Sequence, residues 1–222
     1  MSAPARTFSV RHIQLLRALF AAASALMITF SSDHSAAVGF AVFGGFAAAS
    51  GFLLIVGAWI VASAGNRWPY ILLAVIDLLA AMASSVPTWR TDGAFFIVVI
   101  VWAAASGLVE LIAGLRGRRT DPTSKDAITI GALGLVLAVV LVFIPSDYAL
   151  QYSVEGAGAL TLSGIILAVG MFGGYTAIVA VFLAIAGFSP NRPSSSGVAS
   201  ATDGDADSTA SASKSVESGG TA

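Results

Sequence analysis

Six runs of mostly apolar residues, each long enough to cross a lipid bilayer as a helix, follow one another along this chain with only short polar breaks between them. They cover approximately 13–30, 36–63, 70–86, 94–115, 127–144 and 161–188. A hydrocarbon core about 30 Å thick is spanned by about 20 helical residues, and within it every backbone polar group has to be satisfied inside the protein. A soluble fold can hide one such helix in its core. Six in succession leave too little polar surface to cover them, because only 10% of the residues are charged while 57% are hydrophobic. The fold class this predicts is an all-α membrane protein with six transmembrane helices, and its first partner is the lipid bilayer.

Several function classes drop out at the same stage. A net charge of -1 provides no basic field for a nucleic-acid backbone. The absence of cysteine removes disulfides, thiolate nucleophiles and Cys-ligated zinc, and two histidines are too few for a His-rich metal site. No nucleophile elbow, phosphate loop, zinc-protease or dinucleotide-binding pattern occurs in a credible context. The expectation is a non-enzymatic protein with no cofactor, no metal and no catalytic residue. A homo-oligomer or another membrane protein remains open as a partner.

Orientation follows from the basic residues, which are retained on the cytoplasmic side during insertion. With the N-terminus inside, that side receives Arg6, Arg11, Arg17, Arg67, Arg116, Arg118, Arg119, Lys125, Arg192 and Lys214, and only Arg90 falls outside. The outer connections hold Asp33, Asp92, Asp147 and Glu155. Both termini are therefore expected in the cytoplasm of a multi-pass cell-membrane protein, with residues 1–12 as a short N-terminal segment, 13–188 as the transmembrane domain and 189–222 as a tail. The start of the chain reads as an uncleaved first span, since no convincing small-residue cleavage site follows it. Beyond residue 188 the composition turns to Ser, Gly, Ala, Asp and Thr, which bury too little apolar surface to offset ordering entropy, so a disordered tail is expected. Asp203, Asp205 and Asp207 begin like a calcium loop, but Ser208 and Lys214 stand where that loop requires glycine and glutamate.

The spans also repeat. Phe46-Ala-Ala-Ala-Ser-Gly51 in the second run returns as Trp102-Ala-Ala-Ala-Ser-Gly107 in the fourth, and Phe43-Gly-Gly-Phe46 returns as Phe172-Gly-Gly-Tyr175 in the sixth. Phe46, Trp102 and Tyr175 thus share one equivalent position, and the chain reads as three repeated helical hairpins. Pro87 and Pro145 close the third and fifth runs at their outer ends, with Ser31 at the matching place in the first. Small residues four apart let helix backbones approach closely, which marks Ala47 with Gly51, Ala103 with Gly107 and Gly170 with Gly174 as helix-packing candidates. The even-numbered spans are expected at the tight centre of the bundle.

Ionisable groups inside a span are costly and are candidates for function by default. Three stand out: Asp77 near the middle of the third span, and Arg17 and Glu110 within about two turns of the cytoplasmic ends of the first and fourth. Arg17 and Glu110 share a depth, so an interhelical ion pair is expected, with Asp77 roughly one turn deeper. Pairing for helix register is the structural reading; for Asp77 the choice is between a hydrogen bond to a neighbouring hydroxyl or carbonyl and a proton or cation site. His34 beside Asp33 in the first outer connection is an ordinary loop residue or an external pH sensor. Trp68, Tyr70 and Trp89 fall at span ends as interfacial anchors. The longest outer connection, 145–160, carries Tyr148 and Tyr152 and is the place expected to meet an external partner.

The three hairpins, the stretch Trp102-Ala-Ala-Ala-Ser-Gly-Leu-Val-Glu-Leu-Ile-Ala-Gly114 and the basic cluster after it resemble the HdeD-like family of short-repeat bacterial membrane proteins. The likeness covers about residues 10 to 188. It implies a six-span inner-membrane protein with a role in acid or envelope stress tolerance, and it carries over no catalytic residue. Against this stands the reading of a small transporter or channel that uses Asp77 as an intramembrane proton or cation site.

Overall fold

The computed structural model describes residues 10–60, 67–119, 123–154 and 158–188. The short N-terminal segment ahead of residue 10 and the tail over 189–222 lie outside the described residues. Six helices account for most of the rest: α1 (Val10–Phe30), α2 (Ala36–Ile60), α3 (Trp68–Ser85), α4 (Asp92–Gly117), α5 (Ser124–Val142) and α6 (Gly164–Phe188). Their lengths of 18 to 26 residues give about 27 to 39 Å of helix, enough to cross the hydrocarbon core.

The helix ends obey local chemistry. Asp33 closes the turn between α1 and α2, its carboxylate accepting from the Ser35 backbone N–H at 2.8 Å and the Ser35 hydroxyl at 3.0 Å. Pro69 occupies the first turn of α3, where its missing N–H costs nothing. Thr91 caps α4, its hydroxyl accepting from the Ala94 N–H, and Asp92 places a negative charge in that helix's first turn.

The outer surface confirms the solvent. Leu19, Phe30, Trp59 and Phe143 are 61%, 81%, 75% and 80% exposed, and they belong to a continuous set of bare apolar side chains on every helix. In water such a surface aggregates; in a bilayer it is the lipid contact. The protein is a six-span integral membrane protein.

Inside, the three sequence repeats are α1–α2, α3–α4 and α5–α6, yet the closest helix partners fall between repeats. α2 packs most tightly on α3, α4 on α5, and α6 returns to α1, which closes the ring. The even helices meet at the centre, but the tight contacts are those of each even helix with an odd neighbour, so the small-residue stripes do not make the even spans the tight centre that the pattern suggests. Ala47 and Ala103 are fully buried. Gly51 and Gly107 allow the close approach to the following odd helix: a Cβ on Gly107 would stand 2.8 Å from the Gly131 carbonyl of α5, and one on Gly51 would stand 3.0 Å from Leu78 of α3.

Gly170 and Gly174 do not pack. Both are exposed, with nothing within 4 Å of an added Cβ, and in α6 it is Gly173 that meets a neighbour, Ile28 of α1. Spacing of four marks a stripe but not which way the stripe faces. Carrying the repeat register forward from Phe46 to Tyr175 puts Ala180, not Gly174, at the place of Gly51 and Gly107.

The connection at 145–160 also differs from a plain loop. Strands β1 (Ala149–Val154) and β2 (Gly158–Ser163) form an antiparallel hairpin in which Leu150 faces Leu162 and Tyr152 faces Leu160. The sixth helix accordingly begins at Gly164, and residues 161–163, read from hydropathy as the start of the span, belong to β2. Alternation of Leu150 and Tyr152 with Gln151 and Ser153 is a period-two pattern that the apolar count alone does not separate from a helix end.

Candidate functional site

The three even helices bring their repeat residues together on the central axis. Trp102 meets Phe43, Phe46 and Tyr175 edge to face, with ring centroids 5.1, 5.9 and 5.9 Å apart, and Phe172 packs against Phe43 at 5.3 Å. Such T-shaped pairs set the positive ring edge against the negative face. The result is an aromatic plug across the middle of the bundle.

One turn toward the terminal end, the same register places Ser50, Ser106 and Val179; one turn further it places Leu54, Glu110 and Leu183. These side chains surround a small chamber of about 20 Å³, completed by Asp77 from α3 and Arg17 from α1. A space of that size holds about one water molecule. The serines of the two Ala-Ala-Ala-Ser-Gly copies are thus the polar lining of the axis, as well as part of a packing motif. Ser106 donates its hydroxyl proton to the Trp102 carbonyl at 2.7 Å, and Ser50 is 3% exposed with no hydrogen-bond partner among the described residues, so its hydroxyl is left to the chamber.

Asp77 is 5% exposed, and its Oδ1 accepts from the indole N–H of Trp102 at 2.7 Å. This partner is neither the hydroxyl nor the carbonyl expected from sequence. Trp102 reads in the sequence as an aromatic of the repeat; its distinguishing feature is that Phe46, at the equivalent position, has no N–H to offer.

Arg17 and Glu110 form the expected ion pair, Nη2 to Oε1 at 2.7 Å, linking α1 to α4. Their side chains are 21% and 8% exposed, so the pair is shielded but not sealed. Arg17 and Glu110 also wall a second, larger cavity of about 110 Å³, at the end of the bundle where α1, α3 and α5 begin and α4 stops. Leu54, Leu73 and Leu183 are common walls of both spaces. Gln14 and Asp126, joined at 3.3 Å, line this vestibule from α1 and α5. The two spaces mark a candidate path along one line from the terminal end of the bundle: the vestibule, then the common walls of Arg17, Glu110, Leu54, Leu73 and Leu183, then the chamber at Asp77 beneath the aromatic plug.

The other sequence candidates stand apart from this path. His34 lies in the turn between α1 and α2, at the opposite end of the bundle. Trp68 sits at the start of α3 with the Arg116 guanidinium 5.6 Å from its ring centroid, which ties the anchor to the end of α4. Among the described residues no three His, Cys, Asp or Glu side chains converge as a metal site. No family model, curated protein or solved structure matches the chain.

Proposed function

We propose that the protein is a small, non-enzymatic transporter or channel in which Asp77 takes up a proton or a small cation from the vestibule. The observation that carries this reading is the position of Asp77: a buried carboxylate with one oxygen held by Trp102, lining a water-sized chamber that shares walls with a vestibule at the terminal end. The Arg17–Glu110 pair divides the two cavities and is placed to act as the inner gate. The test is ion or proton flux into proteoliposomes. Flux that depends on the protein and collapses in Asp77→Asn supports the assignment; leakage equal to that of protein-free vesicles removes it.

A second reading rests on the resemblance to the HdeD-like family, and makes the protein a membrane component of acid or envelope stress tolerance. What supports it is the short-repeat packing, in which three copies of one unit close a ring. Survival of a deletion strain under acid and envelope stress checks it. The cell membrane as the location, with both termini in the cytoplasm, belongs to the same proposal. Its support is the clustering of Arg11, Arg67, Arg116, Arg118 and Arg119 at the terminal end against Arg90 alone at the other.

A further inference from the structure

At the end of the bundle away from the termini, α2 and α3 leave a lateral groove of about 310 Å³ that opens on the lipid-facing surface. Its floor and walls come from Phe40, Gly44 and Gly45 of α2 and from Ser84 and Ser85 of α3. Gly44 is required by the helix contact, since a Cβ there would lie 2.9 Å from that of Ser84. Gly45 is not: it is exposed and has nothing within 4 Å, so the chain leaves open a space that almost any side chain would fill.

The groove is apolar in its chemistry as well as its outline. The Ser84 hydroxyl donates to the Ala80 carbonyl at 2.7 Å and the Ser85 hydroxyl to the Met82 carbonyl at 2.6 Å, so both protons are already turned back onto α3. Apolar cavities of half this volume take up a benzene-sized guest. In the hydrocarbon region the guest at hand is an acyl chain, because an unfilled slot forfeits dispersion contacts on one whole side.

The mouth of the groove is polar and carries one charge. It is walled by Arg90, just beyond the short 3-10 turn Pro87–Trp89 that follows α3, at the span end where a bilayer places its headgroups. Arg90 is exposed, and among the described residues its guanidinium has no ion-pair or hydrogen-bond partner, although Asp92 is only two positions away. Among the described residues it is the only Lys or Arg at this end of the bundle, where Asp33, Asp92 and Asp147 otherwise set a negative field. A fork of donors at headgroup depth above an acyl-sized slot matches one class of molecule.

We propose that this groove is a binding site for an anionic phospholipid of the adjoining leaflet, its phosphate held by Arg90 and one acyl chain laid over Gly45. The site is separate from the Asp77 path, and either can exist without the other.

The experiment uses the full chain, purified in detergent and incubated with equal amounts of phosphatidylglycerol and phosphatidylcholine, with retained lipid counted by native mass spectrometry. The wild type is expected to keep one phosphatidylglycerol in preference to phosphatidylcholine, at least threefold. Arg90→Ala is expected to abolish the preference while some lipid is still retained. Gly45→Leu, which fills the slot from an exposed position and disturbs no packed neighbour, is expected to remove the retained lipid altogether. A wild type without preference, an Arg90→Ala protein that keeps it, or a Gly45→Leu protein that retains lipid unchanged would each overturn the assignment.

Discussion

The indole N–H of Trp102 on α4 reaches Asp77 Oδ1 on α3 at 2.7 Å, so the residue that completes the aromatic plug is also the one that holds the buried carboxylate. Two substitutions separate these roles. Trp102→Phe keeps an aromatic ring in the plug but removes the donor, leaving Asp77 short of a hydrogen bond; a loss of roughly 1–3 kcal/mol is expected. Asp77→Asn keeps a carbonyl oxygen for the indole but has no charge to exchange with a proton or cation. It is expected to melt in detergent within a few degrees of the wild type and to lose at least tenfold in flux. A variant that unfolds as badly as Trp102→Phe, or one that transports normally, would show that the carboxylate serves only the helix contact.

The Arg17–Glu110 pair predicts an asymmetry. Breaking a buried pair leaves the survivor's charge uncompensated, at a cost of about 3–5 kcal/mol when neither side reaches water. Arg17 is 21% exposed on the vestibule side and Glu110 only 8%. Glu110→Ala leaves a guanidinium that still reaches the vestibule, whereas Arg17→Ala strands the more enclosed carboxylate. Arg17→Ala is therefore expected to be the more destabilising of the two. The double substitution is expected to cost less than the sum of the singles, as read from a thermal-unfolding cycle.

Much of this architecture is legible in the sequence. Six spans follow from hydropathy alone, because a bilayer admits few alternatives to the helix. The Arg17–Glu110 pair follows from depth, because two charges at one level in lipid have few partners but each other. Depth says nothing about azimuth, however, and two departures from expectation are azimuths. Gly170 and Gly174 have the right spacing on the wrong face of α6, and Trp102 is in the right layer but turned so that its N–H meets α3. Register carried across the repeats supplies part of the missing angle, since it sets Ser50 beside Ser106 and Leu54 beside Glu110 around one chamber. The hairpin of β1 and β2 was hidden for a different reason: Leu160 and Leu162 of β2 run without a charged break into α6, so the span reads as starting at 161 instead of at Gly164.

The glycines give the sharpest packing test. A Cβ on Gly131 of α5 would lie 2.5 Å from the Leu111 nitrogen and 2.7 Å from the Gly107 carbonyl, both backbone atoms that cannot step aside. Gly131→Val is expected to push α4 and α5 apart and cost at least about 1–3 kcal/mol, the usual range for overpacking. Gly174→Val, facing lipid, is expected to change stability by no more than about 0.5 kcal/mol. Detergent melting curves for the two proteins compare them directly; equal losses would contradict the orientation of α6.

The lack of cysteine turns the proposed orientation into a clean labelling experiment, since any introduced thiol is the only one in the chain. Ser32 and Thr88 are exposed at the end away from the termini, and Arg118 is exposed at the terminal end. With a membrane-impermeant maleimide on intact cells, Ser32→Cys and Thr88→Cys are expected to label at once. Arg118→Cys is expected to label only after the membrane is opened, because the basic cluster around it is retained inside during insertion. The arginines on either side of position 118 raise the thiolate fraction of a cysteine there, so its protection on intact cells reports access rather than chemistry. Labelling of Arg118→Cys alone on intact cells would invert the topology and place the vestibule that leads to Asp77 on the outer face. Labelling of both ends would break the six-span arrangement on which the path and the lipid groove depend.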